Sequence, residues 1–214
     1  MKKAYYDTFI KYLDQENKDK SVEYVMSLLK SKSITLEECY LNLLSASLSN
    51  FVCKEEDEDL CIWKEHTRTS IVRTILEATY PYVIERKNAV SDKKKSVVVV
   101  CPSEEYHEIG AIIVSHYFAM NGYESLYIGA NTPKNDIVSA VKVIQPDILA
   151  ISVTNYYNLV VTKKITQEVK QLFPHVKIVV GGLAFHHPDS LSQIVYDKHL
   201  TSLDDIAHIE EELQ

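Results

Sequence analysis

Apolar residues recur at helical spacing from residue 4 to about residue 88. Tyr5, Phe9 and Leu13 fall on one face, with Tyr6 and Ile10 beside them. Val22, Val25, Met26 and Leu29 form a second stripe. Thr35-Leu36-Glu37-Glu38 reads as a capping box, in which hydroxyl and carboxylate each accept from the other residue's backbone amide, and Leu36, Tyr40, Leu43, Leu44 and Leu48 follow it. The acidic run Glu55-Glu56-Asp57-Glu58-Asp59 suits a loop and the first turn of a helix, where carboxylates meet the positive end of the dipole. That fourth helix runs from about Leu60 to Tyr80 and meets Pro81. Gly and Pro are almost absent until that point. Residues 1–90 are therefore expected to form a bundle of four antiparallel helices.

Residues 88–96, Asn88-Ala89-Val90-Ser91-Asp92-Lys93-Lys94-Lys95-Ser96, are polar and basic and read as a linker. Beyond them the pattern alternates. Strands are predicted over Val97 to Cys101, Ser125 to Ile128, Ile148 to Val153 and Val176 to Val180, with a weaker one near Tyr196 to Leu200. Between them lie helices to Asn121 (stopped by Gly122), from Thr132-Pro133 to Gln145-Pro146, and from about Leu159 to Phe173. A last helix starts near Ser202. Strands joined by single helices require right-handed crossovers and a parallel sheet. The expected fold class is α/β: an N-terminal four-helix bundle cap over residues 1–90, then a flavodoxin-like (Rossmann-type) parallel-sheet domain over residues 96–214.

Composition narrows the function. The chain has 214 residues, 46% apolar and 25% charged, and a formal net charge of -7, which argues against a general nucleic-acid binder. No apolar run approaches the roughly 20 residues that span a bilayer. The start, Met1-Lys2-Lys3-Ala4-Tyr5-Tyr6-Asp7, lacks the apolar core of a secretion signal. Cys39, Cys53, Cys61 and Cys101 form no CxxC pair and read as reduced thiols of a cytoplasmic protein. No catalytic triad, phosphate loop or zinc spacing stands out, so independent catalysis is not expected.

Three loops at strand ends carry the candidate chemistry. The first holds Glu105 and His107, with Gly110 one turn into the following helix; the third holds Ser152, Thr154 and Asn155; the fourth holds Gly181 and Gly182. In an open α/β sheet ligands bind at that edge. An imidazole there, with a carboxylate two residues before it, suits a metal ligand with its own supporting partner. The glycine pair lets a large ligand approach the backbone. Gly110 is read as allowing its helix to pack tightly behind the histidine loop.

Glu105-x-His107-x-x-Gly110, Ser152-x-Thr154 and Gly181-Gly182 together resemble the cobalamin (vitamin B12)-binding domain of methionine synthase, corrinoid methyltransferase proteins, mutases and cobalamin photoreceptors. The helical half resembles the cap that precedes this domain in several of them. The resemblance implies that His107 is the lower axial ligand of cobalt, replacing the cofactor's own dimethylbenzimidazole, and that Glu105 hydrogen-bonds its other ring nitrogen. It implies that Ser152 meets the displaced benzimidazole in a slot lined by Gly181 and Gly182. Many members carry Asp where Glu105 stands; the photoreceptor branch often carries Glu, and Tyr127-Ile128-Gly129-Ala130-Asn131-Thr132-Pro133 also looks like that branch. In the cap, Glu65-His66 resembles the pair that covers the upper face of the corrin in photoreceptors. The tryptophan of that branch lies about ten residues earlier, where this chain has Glu55; Trp63 either substitutes from another angle or belongs to the core. His116 is expected to be structural and His186-His187 an exposed loop.

Three readings follow. The first is a cobalamin-binding sensor or regulatory protein, holding adenosylcobalamin or methylcobalamin base-off and responding to light or to the upper ligand. Residues 1–20 are too few for a DNA-reading helix-turn-helix, so such a sensor signals through a partner protein or self-association. The second is a corrinoid carrier subunit of a methyltransferase system. The third is a degenerate domain with a different ligand or none.

Overall fold

The computed structural model describes residues 1–52, 58–91 and 94–213. The chain divides into two compact units, Met1–Tyr82 and Val83–Gln214.

In the first unit, α1 (Lys3–Asp14) and α2 (Lys18–Lys30) are followed by one continuous helical run: α3 (Leu36–Glu38), a π-helical segment (Cys39–Ser45) and α4 (Ala46–Ser49). The capping box forms as its sequence predicts. The Glu38 amide donates to Thr35 Oγ1 at 3.1 Å, and the Thr35 amide to Glu38 Oε2 at 3.0 Å. Next comes α5 (Glu58–Ala78). Phe9, Leu13, Val25, Tyr40, Leu43, Ile75 and Leu76 are buried, so the apolar stripes of the sequence do meet in a core. Arg68 is buried with them. It is ion-paired to Asp14, donates to the Ser47 carbonyl at 3.3 Å and lies 4.7 Å over the Phe51 ring. The helix expected to end at Tyr80 instead breaks at Thr79. A further helix, α6 (Tyr80–Ala89), then takes Pro81 into its first turn, where a missing N–H costs nothing. The linker is correspondingly shorter than expected. Residues 53–57, with most of the acidic run, and Asp92 and Lys93 lie outside the described residues. Cys39 and Cys101 are free and buried, whereas Cys61 is disulfide-bonded, which corrects the expectation of four reduced thiols.

The second unit alternates β1 (Ser96–Val100), α7 (Ile109–Met120), β2 (Glu124–Tyr127), α8 (Lys134–Ile144), β3 (Ile148–Ser152), α9 (Leu159–Leu172), β4 (Lys177–Gly181), β5 (Lys198–His199) and α10 (Asp205–Glu212). All pairings are parallel, in the order β2-β1-β3-β4-β5. Strands β1, β3 and β4 are buried on both faces and read as unbroken apolar runs for that reason. Val98, Leu149, Ile178 and Val180 pack with Ile137, Val141, Ile165 and Val169 of α8 and α9. The opposite face is covered by α7, which is apolar almost all round and buried along nearly its whole length. Pro133 caps α8 rather than opening it. Since β1 neighbours both β2 and β3, the connections leaving β1 and β3 diverge, opening a crevice at their carboxyl ends. No helix among the described residues is long and apolar enough to cross a membrane.

Candidate functional site

The loop after β1 enters that crevice and is fixed from both sides. Towards the β2 end, Pro102 bridges Thr132, the Asn131 amide donates to the Glu105 carbonyl at 2.9 Å, and the Glu104 amide donates to Asn131 Oδ1 at 2.9 Å. Glu104 and Asn131 both take left-handed backbone angles (φ 64° and 49°), which lets the two loops turn into each other. Towards the β3 end the contact is made by a side chain. Glu105 is 0% exposed, and its Oε2 accepts the amides of Thr154 and Asn155 at 2.8 Å each and the Asn158 side-chain amide at 3.1 Å.

The other oxygen, Oε1, accepts the His107 amide at 3.1 Å and lies 2.6 Å from His107 Nδ1. A carboxylate buried in this way needs such compensation. Burial pushes its pKa up, but the Asn155 amide, His107, the Thr154 amide and Asn158 together outweigh burial and hold the carboxyl below the usual range. Glu105 therefore stays ionised and orients the imidazole through Nδ1. The His107 side chain is itself 62% exposed, and its Nε2 has no partner among the described residues.

A second polar chain underlies the loop. Tyr127 at the end of β2 donates to Glu108 Oε2 at 2.9 Å and also engages the thiol of Cys101. Burial pushes the Cys101 thiol up to about 12, so it is an inert prop and not a thiolate.

Behind the histidine loop lies a cavity of about 190 Å³ between the sheet and α7. It is lined in part by Gly110, Ser152, Gly181, Gly182 and Leu200. The two glycines of the pair differ in kind. Gly182 has φ 108°, and an added Cβ would stand 2.3 Å from the Val153 carbonyl oxygen, so its own fold requires it. A Cβ on Gly181 would make only ordinary contact with Leu200. Gly110 corrects the expectation of tight helix packing: a Cβ there would meet nothing within 4 Å, and the residue fronts the cavity instead. The rim of the crevice is aromatic. Tyr106 and Tyr157 are exposed, and the Tyr156 ring packs 4.7 Å from that of His187.

The structure thus brings together Glu105, His107, Gly110, Ser152, Thr154, Gly181 and Gly182. Thr154 acts through its backbone amide. Asn158 and Tyr127–Glu108 escaped the site reading, although Asn158 lies only four residues beyond Thr154 in the same loop. Trp63, Glu65 and His66 lie on α5 in the first unit, all three exposed, with the Lys64 amine 5.9 Å over the Trp63 ring. His116 is buried in α7, and burial lowers its pKa to about 4.

Among the described residues no three His, Cys, Asp or Glu side chains group to hold a bare metal ion. One oriented imidazole at a crevice mouth, backed by an apolar cavity, fits instead a metal that arrives already held in a macrocycle.

Known proteins resemble the chain in sequence and in fold. The chain is 22% identical over 124 residues to the HTH-type transcriptional repressor CarA of Myxococcus xanthus, covering 58% of this chain and 41% of that protein. The monomethylamine corrinoid protein of Methanosarcina barkeri superposes over 99% of both chains with a TM-score of 0.76 at 15% identity. A cobalamin-binding protein of Desulfitobacterium hafniense DCB-2 superposes over 97% of each chain with a TM-score of 0.53 at 16% identity. The fold, a helical N-terminal region followed by a flavodoxin-like sheet, is that of the corrinoid proteins. Residues 95–199 match the model of the B12 binding domain, so this part of the chain belongs to that family and its cofactor is cobalamin.

Proposed function

We propose that the chain holds cobalamin base-off, with His107 Nε2 as the lower ligand of cobalt, and reports the state of the upper ligand to a partner. The observation that carries the ligation is the Glu105 carboxylate: fully buried, ionised, held by three N–H donors on one oxygen and gripping His107 Nδ1 with the other. A carboxylate at Nδ1 keeps the proton on that nitrogen and leaves the Nε2 lone pair free and more basic. The cavity fronted by Gly110 would hold the displaced nucleotide base, with the Ser152 hydroxyl to meet it. When bound, cobalamin supplies a cobalt–carbon bond that light breaks or from which an alkyl group is transferred. The residues of this chain bind and orient; among the described residues none is placed as a general acid or base.

One observation supports a sensor: the curated relative is a transcriptional repressor, of which this chain spans 41%. On this reading Trp63 and His66, three residues apart and exposed on α5, would cover the upper ligand. A second reading, a methyl-carrying subunit serving a partner enzyme, is favoured by full-length likeness to a corrinoid protein in fold.

The ligation is tested by absorbance. His107→Ala loaded with cobalamin loses the histidine-ligated base-off spectrum; an unchanged spectrum overturns the assignment. The sensor reading is tested by illuminating the adenosylcobalamin- and methylcobalamin-loaded proteins and following oligomeric state by light scattering. A light-dependent change supports it. No change, together with methyl transfer in the presence of a partner enzyme, supports the carrier.

A further inference from the structure

Glu105 holds His107 from the β3 side, and the residue after His107 is held from the β2 side. Glu108 stands at the N-cap of α7, where a side chain ordinarily accepts from the first amides of its helix, yet it makes no such bond. Its Oε2 accepts the Tyr127 hydroxyl instead, at 2.9 Å. Burial, with Cys101 and Glu108 beside it, pushes the Tyr127 phenol well above its ordinary range, so it stays a donor. A bond from such a donor to a carboxylate is about twice as strong as one between neutral groups. The same hydroxyl engages the Cys101 thiol, whose Sγ stands 4.0 Å from the His107 carbonyl oxygen. Tyr127 itself is mounted on the sheet, in register with Val99 of β1. The carbonyl of His107 and the side chain of its neighbour thus converge on one hydroxyl. The imidazole is 62% exposed and, among the described residues, is bonded at Nδ1 alone. The direction of Nε2 therefore depends on how the backbone on either side is held.

We propose that Tyr127 is a positioning residue for the cobalt ligand: through Glu108 it fixes the chain on the far side of His107 and so aims Nε2 at the metal. The proposal rests on the ligation by His107 given above. A metal-binding side chain must be held within about 0.5 Å of its productive position. Without the hydroxyl, the Glu108 carboxylate is released towards the first amides of α7, and the His107–Glu108 peptide turns with it.

The test loads the full chain with cob(II)alamin and records its electron paramagnetic resonance. The chain is labelled with the heavy nitrogen isotope, so that a protein nitrogen on cobalt splits the signal into doublets and the cofactor's own base splits it into triplets. Doublets are expected for the unaltered chain; their absence overturns ligation by His107, and this proposal with it. Tyr127→Phe is expected to lose part of the doublet signal and to bind cobalamin about tenfold more weakly, the lower end of the effect of losing a ligand's supporting contact. Full doublets and unchanged affinity overturn the proposal even if urea unfolding finds the ligand-free variant less stable, because Tyr127 then serves the fold alone. In a second arm, Glu108→Ala is expected to lose the same factor, and the double variant no more than either single one. Additive losses, or none in Glu108→Ala, overturn the route through Glu108. Where Tyr127→Phe does not fold, the doublets of Glu108→Ala decide alone.

Discussion

The geometry around Glu105 makes its charge, and not only its shape, necessary. Glu105→Gln keeps the volume. Its carbonyl oxygen can still accept from Thr154, Asn155 and Asn158, but its NH2 group then faces the His107 amide and Nδ1. An NH2 donor there forces the proton of the imidazole onto Nε2, the nitrogen to which the proposed ligation assigns the metal. Cobalamin affinity is expected to fall about 10- to 100-fold, the usual effect of losing a ligand's supporting partner. Titration of the variant with cobalamin and its bound-state spectrum check this. Stability has a matching pH dependence. Because the native carboxyl sits below its ordinary value, its contribution is complete above the unfolded carboxylate range, near pH 4.3, and is lost as pH falls through the lower native value. Gly110 gives the opposite sign: Gly110→Ala adds a Cβ into open space, so the ligand-free protein gains about 0.5–1 kcal/mol in urea unfolding.

At the scale of elements, the sheet was legible because β1, β3 and β4 are buried on both faces, which leaves continuous apolar runs in the sequence. Helix α7 was legible for the same reason, yet its burial also hides His116. That imidazole has its pKa lowered to about 4 from an ordinary 6.5, so it stays neutral in the fold while the unfolded chain takes up a proton. Folding stability therefore declines as pH drops from about 6.5 towards 4, by up to roughly 3 kcal/mol at about 1.4 kcal/mol per pH unit. His116→Gln flattens that slope in urea melts at pH 4.5 and 7. Other features were illegible because they arise across elements. The bond from Asn158 to Glu105 spans fifty-three residues, and no spacing rule reports it. The open space at Gly110 exists only once α7 lies on the sheet. The π-helical segment Cys39–Ser45 and the break at Thr79 reflect tertiary packing, as in the buried Tyr40–Thr79 hydrogen bond of 2.7 Å, overriding an otherwise regular helical pattern. Gly182 was singled out as lining a ligand slot; what the structure shows is that its own backbone needs glycine. Gly182→Ala forces a Cβ against the Val153 carbonyl in a left-handed conformation and is expected to cost about 3 kcal/mol by denaturant titration, with or without cobalamin.

At the scale of the whole molecule, the chain holds two compact units, each with its own buried core: Phe9, Tyr40, Leu43 and Ile75 in Met1–Tyr82, and the apolar strands under α7, α8 and α9 in Val83–Gln214. Every residue that grips His107, and every residue that lines the cavity, belongs to the second. Separate cores permit separate melting, and a ligand stabilises only the unit whose native state it binds. Calorimetry of the ligand-free chain should therefore resolve two transitions. Cobalamin at a hundredfold excess over its dissociation constant should stabilise the unit holding His107 by about 2.7 kcal/mol, raising its transition by several degrees. The other transition reads out the cap. If Trp63 and His66 of α5 cover the upper ligand, adenosylcobalamin raises both transitions, and illumination releases the cap transition while leaving the first raised. If only the sheet unit ever moves, the exposed residues of α5 have no part in holding the cofactor, and the sensor reading gives way to the carrier.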